Sequence, residues 1–164
     1  MINNQRFYSL IFPVWVLFLF PGAWFALLPL NLLIDGCLLF VTLRLAGVER
    51  IRQTFLKNLL KVWIFGLVSS CVGFMCEMIP FAFRGSERAA EISFALSQNP
   101  FSDVYAVLLS ILAIIVSAAV CFVLNFKLTF PKSDYEKKAR LFSSLAFSVI
   151  TAPYTLLIPT ILFK

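Results

Sequence analysis

No histidine occurs in the 164 residues. That absence removes Ser-His and Cys-His nucleophile pairs and His-ligated metal centres. Charge is also scarce. Charged residues make up 13% of the chain, where a soluble domain carries about a quarter. The four cysteines, Cys37, Cys71, Cys76 and Cys121, lie inside apolar runs and form no CxxC pair. They read as small apolar residues rather than a disulfide framework. No Gly-rich phosphate loop, nucleotide motif or metal-ligand cluster is present, so the sequence calls for no cofactor, no metal and no enzymatic role.

What is present is apolar: 61% of the residues, in long runs separated by short basic segments. A chain with so little polar surface cannot cover a water-soluble globule, and a helical crossing of a bilayer needs about 20 apolar residues. The expected fold is all-α, a polytopic helical membrane bundle forming a single domain over residues 1–164. The net charge of +6 belongs to loops beside the spans, where Lys and Arg set orientation. It gives no reason to expect a nucleic-acid partner.

Five spans are expected, at about 7–28, 31–48, 62–83, 101–126 and 141–163. The first two come from dividing one long run at Pro29-Leu30-Asn31, with Asn31 as N-cap of the second helix. The alternative is four spans preceded by a short N-terminal re-entrant or interfacial arm at 7–20, with one long helix over 22–45. In the five-span arrangement with the N-terminus inside and the C-terminus outside, eleven Lys and Arg fall on the inner side and three on the outer. That asymmetry indicates a multi-pass protein of the cytoplasmic membrane. Residues 49–61 read as an ordinary loop or as an interfacial basic helix. In the second form Arg50, Arg52, Lys57 and Lys61 would contact anionic lipid. The loop at 84–100 contains a short helix capped by Ser86 and closes at Asn99-Pro100.

Two carboxylates interrupt the apolar runs, Asp35 and Glu77. An acid inside a span costs about 2.5–3.5 kcal/mol at the centre on insertion scales and normally faces protein or water. Each lies on a stripe of small or polar residues. Asn31, Asp35 and Thr42 share one face, and Gly66, Ser70, Gly73 and Glu77 share another. Ser117, Ser144 and Ser148 mark further packing faces on the last two spans. With five spans the two acids fall at similar depth, where together with Asn31 they would line an outward-opening polar cavity for a proton or ion. With four spans Asp35 drops toward mid-membrane. The structural alternative pairs Glu77 with Arg84 or Arg88.

The role the sequence favours is non-enzymatic. The chain is expected to act through helix packing with itself, as a homo-oligomer, or with a membrane-protein partner, in an assembly, accessory or immunity-type capacity. The alternative is a small ion- or proton-coupled transporter or channel using Asp35 and Glu77.

Overall fold

The computed structural model describes residues 21–48, 50–83, 85–130 and 137–159. All regular structure among them is helical. Helix α1 spans Pro21–Leu45, α2 Ile51–Glu77, α3 Ile79–Ala82, α4 Glu87–Gln98, α5 Val104–Leu124 and α6 Lys137–Ile150. A 3-10 turn at Pro100–Ser102 leads into α5, a π-helical turn at Asn125–Thr129 extends α5, and a 3-10 turn at Tyr154–Leu157 follows α6. Among the described residues, four stretches are long and apolar enough to cross a membrane: Leu28–Leu45, Ile51–Glu77, Val104–Thr129 and Lys137–Leu157.

The division expected at Pro29-Leu30-Asn31 is not where the chain breaks. Helix α1 continues through Pro29. A proline inside a helix costs about 3 kcal/mol. Ending the helix there would leave up to about eight backbone groups without intrahelical partners, each costing several kcal/mol in hydrocarbon. Continuity is the cheaper solution. Asn31 is therefore a half-buried residue inside α1, not an N-cap. The helix matches the alternative reading of one span over 22–45. The arm at 7–20 lies outside the described residues.

Residues 49–61 are likewise not a loop. From Ile51 onward they form the first turns of α2, continuous with the span. Ile51, Phe55 and Leu59 turn inward against the cluster of Leu39, Leu43, Val62, Cys121, Phe130 and Phe147. Arg50, Arg52 and Lys57 remain on the exposed side. The turn between α1 and α2 is set by Gly47, whose φ of 66° lies in the left-handed region. The Val48 amide then donates back to the Leu43 carbonyl at 3.3 Å, closing the end of α1.

The last span also differs from the expected 141–163. Helix α6 begins at Lys137 and ends at Ile150, because Pro153 follows and has no amide hydrogen to continue the ladder. Tyr154 and Thr155 beyond it are exposed. Trp63 sits well inside α2, and its indole nitrogen is buried without a partner among the described residues.

Packing follows a lipid-solvated logic. Among the described residues, thirteen buried side chains are polar or charged and eleven are hydrophobic. Leu33, Leu45, Met75, Val104 and Leu108 instead point outward, each more than half exposed. In water that distribution would be unstable; against hydrocarbon it removes polar groups from the surrounding solvent. Helix α2 packs chiefly on α5, then on α1, and α6 closes against α5. The basic ends of α1, α2 and α6 gather at one end of the bundle, where Ile51, Phe55 and Phe130 share a cluster. Helices α3 and α4 lie at the other.

At that second end the expected short helix is present. The Ser86 hydroxyl accepts the Ala89 amide at 3.4 Å. Asn99 and Pro100 then turn the chain into α5, with Asn99 Oδ1 accepting the Phe101 amide at 3.1 Å. Asp103 caps α5, accepting the Tyr105 amide at 2.8 Å and the Ala106 amide at 3.1 Å. Arg88 ties α4 to this cap, reaching Asp103 at 2.8 Å and Glu91 at 2.7 Å, with its guanidinium 4.9 Å from the Tyr105 ring centre. Bonding to Glu91, more than the charge of Asp103, raises the Arg88 pKa further above arginine's ordinary value.

Partial burial works against the Asp103 charge, but the Ala106 and Tyr105 amides and then Arg88 outweigh it and hold its carboxyl below the usual aspartate range. A carboxyl lowered by folding stabilises the fold above its unfolded pKa of 3.8, and that contribution disappears as pH falls through the folded value. Thermal melts of the detergent-solubilised protein should therefore show Asp103→Asn, which keeps the cap, losing the acid dependence between α4 and α5. Asp103→Ala should be less stable than Asp103→Asn at neutral pH. Equal acid sensitivity in wild type and Asp103→Asn would refute this account.

Candidate functional site: a buried carboxyl in mid-bundle

The inward seam of α2 is Val62, Gly66, Ser69, Gly73 and Glu77, all buried. The alternation of three- and four-residue steps keeps this row on one side of the helix. Gly66 and Gly73 thus face inward as expected. Ser69 takes the place expected of Ser70, which is half-buried on the adjoining face. The facing row on α5 is Ala106, Ser110, Ala113, Ser117 and Cys121, also buried. It continues through Asn125 and Thr129, both fully buried. Ser117 was expected on such a face. Ser110, Asn125 and Thr129 were not singled out, although steps of three and four residues continue the row of Ala113, Ser117 and Cys121 through them. Ser144 and Ser148 of α6 are buried as expected, joined by Arg140, Ser143 and Phe147.

The close approach of these helices depends on glycine. A Cβ on Gly73 would lie 3.0 Å from Ser117 Cβ and 3.1 Å from the Ala113 carbonyl oxygen. A Cβ on Gly66 would lie 3.5 Å from Asp35 Oδ2. That is an ordinary contact, and it places the Asp35 carboxyl against the Gly66 face of α2.

Asp35 is 1% exposed, and neither carboxyl oxygen has a hydrogen-bond partner among the described residues. Its surroundings are weakly polar. Ser69 donates to the Gly66 carbonyl at 2.8 Å, and on α5 the Cys121 thiol is buried. The thiol contacts Thr151 Oγ1 at 3.6 Å and accepts from the Asn125 amide at 3.3 Å. Thr42, one face-repeat from Asp35, is satisfied by the Leu39 carbonyl at 2.9 Å.

Glu77 is elsewhere. It ends α2 and accepts the Ser110 hydroxyl at 2.7 Å. Because Asp35 stands opposite Gly66, eleven residues before Glu77, the two acids are about 16 Å apart along the bundle axis. The structure does not bring them into one cavity, and the expected equality of depth fails with the five-span division on which it rested. Glu77 also does not pair with Arg88, which engages Glu91 and Asp103. Arg84 lies outside the described residues.

A cation is also buried in the bundle. Arg140 is 5% exposed. Its Nε donates to the Phe130 carbonyl at 2.5 Å and a terminal nitrogen donates to the Phe126 carbonyl at 2.8 Å. Its guanidinium also lies 4.2 Å from the Phe126 ring centre. It therefore closes the π-helical end of α5, a place where carbonyls are left over. Within that turn Thr129 donates to Asn125 Oδ1 at 2.8 Å.

Chemically the site offers one carboxyl, one thiol and several hydroxyls in an enclosed setting. No group of three or more metal-ligating side chains is found among the described residues. The arrangement suits binding of a proton or a small monovalent cation at a carboxyl better than bond-making chemistry. Compared with known proteins, the chain matches no family model, no curated protein and no solved structure.

Proposed function

We propose that this is a small integral membrane protein that binds and releases a proton or a small monovalent cation at Asp35, coupling that event to a rearrangement of its helices. The observation that carries the reading is the unpartnered carboxyl. A buried polar group is almost always hydrogen-bonded, and a charge in hydrocarbon is paired or functional. Glu77 has its hydroxyl partner, whereas among the described residues Asp35 has none. The clustering of cationic residues at one end supports that end as the cytoplasmic one. It leaves α1 entering from the outer side and α6 returning to it.

The test is flux. Proteoliposomes holding a pH indicator, or loaded with sodium or potassium, should respond to an imposed gradient. Asp35→Asn should abolish the response while elution profile and helicity stay native. Glu77→Gln should retain at least half of it. A full response from Asp35→Asn removes this function.

The second reading is association, in which the chain packs with itself or a membrane partner. The small-residue seams of Gly66, Gly73, Ser117, Ser144 and Ser148 are occupied within the bundle. Association would therefore use the outward groove of about 600 Å³ between α1 and α2, which includes Leu33, Cys37, Phe40 and Phe55. Oxidative cross-linking tests it for a second copy. Exposed Cys37 should then form an intermolecular disulfide more readily than exposed Cys71.

A further inference from the structure

The outward groove between α1 and α2 is apolar along its length and cationic at one end. Its walls include Leu33, Cys37 and Val41 of α1 and Phe55 and Leu59 of α2. Gly36 lies between them. A Cβ there would stand 3.3 Å from Leu59 Cδ1 and 3.7 Å from Phe55 Cζ, so the groove takes the space where a side chain is missing. From Pro29 to Phe40 it follows α1 for about 16 Å by helix rise, about half the thickness of a bilayer's hydrocarbon. It is therefore one leaflet deep.

Helices α1 and α2 run antiparallel across the Gly47 turn, and each carries an arginine one turn beyond the groove at the basic end. Arg44 follows Phe40 by four residues, and Arg52 precedes Phe55 by three. Those spacings keep both on the groove's side of their helices. Arg44 is held there, its guanidinium 5.6 Å from the Phe40 ring centre. Arg52 also borders a second hollow of about 660 Å³, made with Arg50, Gln53 and Leu56 at the first turn of α2. Arg44, Arg50 and Arg52 are exposed. Among the described residues the ion pairs are those of Arg88, at the opposite end, so the described chain supplies no carboxylate to the arginines at the groove mouth.

We infer that the groove holds one acyl chain of an anionic phospholipid from the leaflet at the basic end, with the headgroup phosphate on Arg44 and Arg52. A guanidinium presents paired N–H donors that match phosphate oxygens, and cations beside a membrane attract anionic headgroups. A zwitterionic headgroup carries the same phosphate but offsets it with its own cation. A second copy of the chain is a poorer occupant. Copies inserted in one orientation meet about an axis along the membrane normal, which brings Arg44 and Arg52 toward their own counterparts. Lipid binding here is independent of Asp35 and competes with association for the same groove.

Native mass spectrometry of the intact protein, released from detergent holding equal amounts of phosphatidylglycerol and phosphatidylcholine, tests the occupant. One phosphatidylglycerol should stay bound, favoured at least about tenfold over phosphatidylcholine. Arg44→Gln with Arg52→Gln should reduce that preference about tenfold. Lys137→Gln with Lys138→Gln removes as much charge from exposed positions at the same end and should leave the preference within about twofold. Cys37→Trp, which fills the groove from an exposed position without changing charge, should lose most of the bound lipid. Leu33→Trp, also at an exposed wall position, replaces it if Cys37→Trp does not fold natively. Asp35→Asn should bind lipid as wild type does, so this proposal and the flux reading fail separately. No preference in wild type, equal losses from the two double variants, or full binding with the groove filled would overturn the proposal. So would a Cys37-linked dimer formed in phosphatidylglycerol vesicles that retains no lipid, since a second copy would then hold the groove.

Discussion

Gly73→Leu is expected to leave no natively packed bundle. The glycine lies where a single added carbon would already meet Ser117 Cβ at 3.0 Å and the Ala113 carbonyl oxygen at 3.1 Å. The first neighbour is a side chain fixed to helix α5, and the second is backbone. Neither yields without moving the helix. Overpacking of this kind costs about 1–3 kcal/mol for one or two methylenes, so Gly73→Ala should lie in that range and a leucine well beyond it. The contact is also the most extensive in the bundle, and in lipid no hydrophobic drive between helices compensates for lost close packing. Unfolding by a denaturing detergent, followed by helicity and by elution volume, measures the effect. Ser117→Gly introduced beside Gly73→Ala should recover part of the loss and show the coupling of contacting sites. The Ala113 carbonyl would remain, so recovery should be incomplete. A Gly73→Leu protein with wild-type stability would mean that the α2–α5 seam is not closed as described.

Arg140→Met is expected to be the most damaging change at the basic end, destabilising by about 2–4 kcal/mol, because hydrogen bonds from charged donors contribute more than neutral ones and their buried acceptors are left unsatisfied. The guanidinium serves the Phe126 and Phe130 carbonyls at once, and its face lies on the Phe126 ring. Methionine replaces the stem but neither donor. Arg140→Lys should recover less than half of the loss, since an ammonium is a point donor that cannot reproduce a planar fork spanning two carbonyls. Hydrogen exchange should show the added opening confined to residues 125–130. If Arg140→Lys equals wild type, the fork geometry is irrelevant and only the charge matters. If Arg140→Met is silent, the guanidinium does not close the π-helical turn.

Much of the architecture was legible in the sequence because lipid imposes simple rules. Long apolar runs fixed an all-helical chain with several membrane-compatible helices. Residue spacing placed Gly66, Gly73, Ser117, Ser144 and Ser148 on inward faces, and all are buried. The cap at Ser86 and the turn at Asn99-Pro100 were also legible, since a side chain bonding an amide two or three residues away is a local event.

Both errors concern where a helix begins or ends. Pro29 looked like a boundary because proline ends helices in water, and residues 49–61 read as a loop or a separate interfacial helix because their charge sets them apart from the apolar run that follows. In this bundle the cost of unsatisfied backbone exceeds the cost of one proline, and helix α2 extends past its apolar part to bury Ile51, Phe55 and Leu59. Those two shifts moved Asp35 from the level of Glu77 to mid-bundle.

The sequence alone determined the helical class of this protein, the membrane-compatible length of its apolar helices and which residue types face inward, because hydrophobic run length and helical periodicity are one-dimensional quantities. Only the tertiary structure decided which inward groups meet. It set Ser110 on Glu77, Arg140 on two carbonyls at the π-helical turn after α5, and, among the described residues, nothing on Asp35. Such pairings depend on the register between helices, and register is fixed by packing glycines against the neighbouring helix rather than by any local pattern.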